Sequence, residues 1–302
     1  MNYFFLLALL FVAACTTQPT RVRETPERQM ESAAQMLEPI KMTEQTVVID
    51  ARPRFDYSMA HIPRSVPLQW SDFTEPEPAQ RGVVQNDVFA IARRLARAGI
   101  GPDSHVVVVG RGPGGDGEEG RIAWMLAYLG VKRVQFAGID SFRVRMTNAV
   151  EQNPPASVPV WKPEPIESLN VTRAEVQFAI NKRATLEPAA FSAGDQPVLY
   201  RLIDVRPAKD YLGQTGLGAR QKIPNMEAVN IPWQQFFTKD LRPNPSMRAE
   251  LQKIGVLPNQ RILVIDQNGV SSAAVTMALR ALGYERAGNY AGGLTDLLSA
   301  YK

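Results

Sequence analysis

The chain has 302 residues, 45% of them hydrophobic and 21% charged, with 34 basic against 30 acidic side chains and a formal net charge of +4. Its basic runs are pairs such as Arg93-Arg94 and Lys132-Arg133, far from the dense positive surface that nucleic acid demands. One cysteine and two histidines exclude an intramolecular disulfide and argue against a Cys/His zinc site, so neither metal nor cofactor is expected, and the length suits two domains with a core each.

Tyr3 to Ala14 form an unbroken apolar run, too short to span a bilayer but suited to the apolar core of a secretory signal. Val12-Ala13-Ala14-Cys15 resembles the lipobox of bacterial lipoproteins, in which the cysteine is acylated and the chain is cut just before it. The departure is the missing Lys or Arg ahead of the apolar run. The resemblance implies a signal peptide at 1–14, a lipid on Cys15 and a polar tether over 15–35. Several acyl chains hold a protein at a membrane essentially permanently, at about 0.8 kcal/mol per buried methylene. The expected location is the bacterial cell envelope, facing the periplasm. Thr16 rather than Asp after the cysteine points to the outer membrane.

Farther on, short apolar runs alternate with helical stretches. Thr46–Ile49, Val106–Val109 and Val134–Phe136 read as strands, and Asp87–Ala98 and Arg121–Leu129 as helices. Asn153 to Pro165 is dense in proline and reads as an extended linker. Thr172-Arg173-Ala174-Glu175 is a capping-box pattern that opens a helix. Strands then return at Val198–Ile203 and Ile262–Ile265, with a helix over Ser272–Leu282. Such alternation predicts an α/β fold, a parallel sheet with helices on both faces.

The two halves also match residue by residue. Val48-Ile49-Asp50-Ala51-Arg52-Pro53 returns as Leu202-Ile203-Asp204-Val205-Arg206-Pro207, and Asp56-Tyr57 as Asp210-Tyr211. Ile62-Pro63 with Trp70 returns as Ile223-Pro224 with Trp233, after a longer loop around Leu212 to Gln221. Repeated order with drifting loop length is the mark of a duplicated domain. The expected division is 36–150, a linker over 151–168, and 169–302.

This ordered set is similar to the rhodanese (sulfurtransferase) family. His61-Ile62-Pro63-Arg64-Ser65 resembles its His-Ile-Pro-Gly-Ala turn, Asn230-Ile231-Pro232-Trp233 its Asn-Ile-Pro-Trp, and Ala291-Gly292-Gly293-Leu294 its Gly-Gly before the last helix. The resemblance implies two rhodanese-like domains. It also implies that a strand should end in a cysteine, whose thiolate is held by the N–H groups of the following loop and carries a transferable sulfur.

Neither copy supplies that thiol. The second reads Leu263-Val264-Ile265-Asp266, followed by Gln267, Asn268, Gly269, Val270 and Ser271, so Asp266 takes the nucleophile position. An aspartate oxygen cannot hold a persulfide. It can direct its carboxylate into the ring of N–H donors, or Asp266 and Asn268 can simply be turn formers. In the first copy Gly110 takes that position, and Arg111, Gly112, Gly114 and Gly115 lead through an acidic stretch to Arg121. These two loops are the candidate binding residues, and no catalytic residue is assigned. The expectation is a catalytically degenerate tandem protein that binds a protein partner at the envelope. The alternative is a sulfurtransferase-related enzyme or a small-anion receptor, with Arg111 or Arg121 supplying charge near Gly110.

Other readings fit less well. Gly110, Gly112 and Gly115 match a dinucleotide fingerprint, but Pro113, Asp116, Glu118 and Glu119 crowd the place of a pyrophosphate. Those acids suit the first turn of a helix. Ser271 and Ser272 lack a nucleophile elbow and read as helix caps. Asp50 with Arg52, and Asp204 with Arg206, read as structural pairs.

Overall fold

The protein is described here by a computed structural model over residues 33–142, 146–150, 154–182, 199–216 and 223–300. The segment 1–14 expected to be a signal, Cys15, and the expected tether as far as residue 32 lie outside the described residues. Within them, no helix is long and apolar enough to cross a membrane.

In the first half the chain runs β1 (Val47–Asp50), α1 (Arg54–Met59), β2 (Val66–Pro67), α2 (Val88–Arg97), β3 (His105–Gly110), α3 (Glu118–Tyr128) and β4 (Arg133–Gly138). The second half repeats it after α4 (Arg173–Lys182), with β5 (Tyr200–Asp204), α5 (Ala208–Tyr211), β6 (Val229–Asn230), α6 (Met247–Lys253), β7 (Arg261–Ile265), α7 (Ser271–Ala281), β8 (Ala287–Asn289) and α8 (Gly293–Ser299). The strands form two parallel sheets, ordered β2-β1-β3-β4 and β6-β5-β7-β8. Val106 to Val109 pair with Val47 to Asp50 on one side and Val134 to Ala137 on the other. Helices cover both faces, so the central strands are buried on both sides. That is why they read as continuous β-branched runs rather than alternating ones.

The helices differ in character because their surroundings do. α2 buries Ile91, Ala92, Leu95 and Ala96 and turns Arg93 and Arg97 to solvent, and the Asp87 side chain accepts the Ala90 N–H at 2.9 Å to cap it. α3 and α7 are buried almost throughout, each lying between its own sheet and the other half of the molecule. They meet at Gly120, where a Cβ would come within 2.3 Å of the Ala274 Cβ. One apolar cluster runs through this contact, joining Trp124 and Phe136 to Trp233 and Phe237. Phe136 and Phe237 meet edge to face at 5.9 Å.

The proline-rich stretch carries no helix over 154–166 and runs along the first half, with the Val158 N–H donating to the Ala96 carbonyl at 2.9 Å. Two local expectations need correction. α3 starts at Glu118, three residues before Arg121, because Gly117 at φ +90° ends the loop and the charged first turn hid the helix's apolar period. The capping box is half formed: Thr172 Oγ1 accepts the Glu175 N–H at 3.1 Å, but the Glu175 carboxylate binds Arg261 Nε at 2.8 Å instead of closing back on the cap.

Candidate functional site

Each β1-like strand ends in an aspartate that fixes the start of the following helix. Asp50 and Asp204 are fully buried and each accepts a forked arginine: Arg52 Nε at 3.0 Å and Nη2 at 2.7 Å, Arg206 Nε at 3.0 Å and Nη2 at 2.6 Å. Arg52 continues to the Ala60 carbonyl at 2.6 Å and Arg206 to the Asp210 carbonyl at 3.3 Å. Burial raises the Asp204 carboxyl above its usual range, and Arg206 opposes that rise. These pairs are structural, as read from the sequence.

In the second half, β7 delivers Asp266 into a tight loop and then α7. Asp266 is 2% exposed, and its carboxylate takes four donors. Oδ1 accepts the N–H groups of Asn268 (2.9 Å) and Gly269, and Oδ2 accepts Ser271 Oγ–H at 2.8 Å and the Ser272 N–H at 3.1 Å. The backbone can curl this tightly because Gly269 sits at φ +79°, where a Cβ would also strike the Ala291 carbonyl oxygen at 1.9 Å. Ser271 and Ser272 are therefore not caps as expected. Ser271 donates to the carboxylate, and Ser272 Oγ–H donates to Asn289 Oδ1 at 2.6 Å. The loop is tied down from behind, with the Leu294 N–H on the Asp266 carbonyl at 2.9 Å and the Thr295 N–H on that of Gln267 at 3.0 Å. Both readings left open for Asp266 meet in this geometry: the carboxylate is directed into the ring of donors, and its bonds to the Asn268 and Gly269 N–H groups form the turn.

In the first half, Gly110 ends β3 and the loop turns through Arg111 to Gly117. The Arg111 guanidinium faces outward to Asp56, at 2.9 Å from Nε and 2.8 Å from Nη2. Gly112, at φ +66°, donates its N–H to Glu119 Oε1 at 2.9 Å. Glu119 stands in the first helical turn, as expected, but does not face solvent. It is fully buried, and burial, reinforced by Glu118 and Asp116, raises its carboxyl from 4.5 to about 8. With the Gly112 N–H spent on Glu119, a dinucleotide phosphate has no place there.

Arg121 is also not where the sequence suggested. Its guanidinium bridges the two halves, donating to the Gly269 carbonyl of the second at 3.1 Å and the Gly82 carbonyl of the first at 2.5 Å, over the Trp124 ring at 4.7 Å. Full burial lowers its pKa to about 10, and the Asp266 charge opposes that fall. Gly82 was missed in the sequence: its Cβ would lie 2.1 Å from the Ala291 carbonyl oxygen and 2.2 Å from that of Asn268. A glycine far from any motif carries no sequence signal of such closeness.

Between the halves lies a cavity of about 240 Å³, lined by Trp70, Asp116, Glu118, Asp210, Asp266 and Ser271. Arg206 reaches its wall but is held by Asp204. Carboxylates dominate the lining, a field that repels small anions. Gln267, Asn268 and Val270 line it too, whereas Arg111, Gly112, Gly114, Gly115 and Arg121 do not. The first loop thus reaches this cavity through Asp116, and the second through Gln267, Asn268, Val270 and Ser271. Among the described residues no group of His, Cys, Asp and Glu is arranged to hold a metal ion.

The rhodanese-like domain model matches the chain twice, over 32–138 and 188–300. A thiosulfate sulfurtransferase of Azotobacter vinelandii is 23% identical over 255 residues, covering 82% of this chain and 85% of that protein. SseA of Escherichia coli, whose structure is described with the rhodanese fold and the catalytic mechanism of 3-mercaptopyruvate sulfotransferases, superposes with a TM-score of 0.64 at 20% identity, over 83% of this chain and 93% of that one. Wild-type EanB superposes with a TM-score of 0.66 at 17% identity over 86% of this chain, which spans only 63% of EanB. With both halves matched and the fold shared, this chain belongs to the rhodanese-like domain family, as a tandem of two such domains.

Proposed function

We propose that the chain is a lipid-anchored envelope protein whose two rhodanese-like domains, over 36–150 and 169–302, bind a protein partner and carry out no sulfur transfer. The observation that carries this reading is the Asp266 carboxylate and its four donors. A chain that fills its own anion ring with a hard oxygen has neither a thiolate to sulfurate nor an open place for a persulfide. Gly110 offers no side chain, and the carboxylates lining the cavity oppose thiosulfate. The apolar run before Cys15 supports the lipid anchor, and Thr16 supports the outer membrane.

The test is a thiosulfate:cyanide sulfurtransferase assay on the purified chain, paired with intact-mass analysis of the protein extracted from membranes. The expected results are a rate no higher than the uncatalysed one and a mass carrying acyl chains on Cys15. Turnover above background removes the non-catalytic reading, and a free Cys15 removes the anchor. A second reading, sulfur transfer itself, is favoured by the thiosulfate sulfurtransferase relative, and the same assay separates the two.

A further inference from the structure

Glu119 combines three features that the role proposed above does not use. It is fully buried; Oε1 accepts the Gly112 N–H at 2.9 Å, and Oε2 has no hydrogen-bond partner among the described residues. Directly beside it stands Gly110, where a Cβ would lie 2.3 Å from Oε2 and 2.9 Å from the Glu119 Cβ. The carboxyl therefore fills the volume that a side chain at the end of β3 would take. Among the described residues no neighbouring cation settles it: Glu118 and Asp116 are acidic, Arg111 is turned to Asp56 on α1, and Arg121 is turned to the Gly269 and Gly82 carbonyls. A buried carboxylate oxygen with no partner costs more than a protonated one.

We propose that Glu119 is a proton-controlled plug, whose neutral carboxyl closes the loop 110–117 over the end of β3 and whose ionised form withdraws and lets that loop open. The step is a simple transfer: the O–H bond at Oε2 breaks, the proton passes to solvent, and the carboxylate left behind must find water or a cation. The raised titration of this carboxyl, to about 8, puts the change just above neutral pH. Because the folded-state value lies above the ordinary 4.5, the stabilisation is complete below about 4.5 and is lost as the pH rises through about 8. The plug is independent of the envelope role and of any partner.

The experiment is carbon-detected NMR on the full chain labelled at glutamate side-chain carboxyls and glycine carbonyls, titrated from pH 4 to 10. One carboxyl resonance should have a midpoint near 8 and be absent from Glu119→Gln, and the Gly110 and Gly112 carbonyls should follow that midpoint in the wild type and stay flat in the variant. The proposal is overturned if the Glu119 resonance titrates near 4.5, if it titrates near 8 while the loop carbonyls stand still, or if those carbonyls titrate unchanged in Glu119→Gln. Should that variant not fold, Gly110→Ala gives the complementary test. Its Cβ displaces the carboxyl, so the midpoint should fall towards 4.5, and a midpoint still near 8 overturns the proposal.

Discussion

The two loops answer one problem in opposite ways. Each follows the strand equivalent to the other, β3 or β7, and each leads into a helix buried at the interdomain contact. In the second domain the carboxylate comes from the strand end itself, sits in a ring of four donors, and has the buried Arg121 guanidinium nearby as a countercharge. In the first domain the strand ends in glycine, and the carboxyl comes from the helix, with the Gly112 N–H on one oxygen and no hydrogen-bond partner on the other among the described residues. Charge is affordable in the first case and costly in the second. The difference shows that the same backbone cradle can hold an anion or exclude one, depending on how many N–H groups point inward.

Breaking the satisfied loop should have the largest effect. Asp266→Ala strips the acceptor from four donors and the countercharge from Arg121, and should lower stability by about 3–5 kcal/mol in urea unfolding. The unsatisfied loop should respond to pH instead. Relative to Glu119→Gln, the wild type should lose stability between about pH 4.5 and 8, by up to about 1.4 kcal/mol per pH unit, and then level off. Denaturation midpoints of both proteins measured at pH 5, 7 and 9 check this. Gly110→Ala should cost about 1–3 kcal/mol by overpacking against Glu119, a loss read from thermal unfolding. Ser271→Ala removes one of the four hydrogen bonds to Asp266 and should cost about 1 kcal/mol, leaving the fold intact by circular dichroism.

Much of this was legible in the sequence for a clear physical reason. Parallel strands buried on both faces leave β-branched runs, so Val106–Val109 and Ile262–Ile265 announce themselves, and duplication doubles every signal. The strand-end pairs of Asp50 with Arg52 and Asp204 with Arg206 were readable because their partners lie two residues apart. The direction of Glu119 was not, since an acid in a first helical turn ordinarily faces water, and only the absent Cβ at Gly110 makes room for it inside. Nor was the reach of Arg121 across to Gly269, a contact between residues 148 positions apart. Ser271 and Ser272 misled because a serine at a helix start caps by habit, and here Asp266 takes the Ser271 hydroxyl and Asn289 that of Ser272.

The central claim is that the second loop is an anion ring already filled by Asp266, and refilling an emptied ring tests it most directly. Thermal unfolding of Asp266→Ala and of the wild type would be followed with rising formate, the carboxylate that the substitution removes. Binding to the folded variant alone should raise its stability by about 1.4 kcal/mol at a tenfold excess over Kd, with the wild type unmoved. A wild-type protein stabilised by formate as strongly as the variant would contradict the claim, because its ring would then have been open from the start.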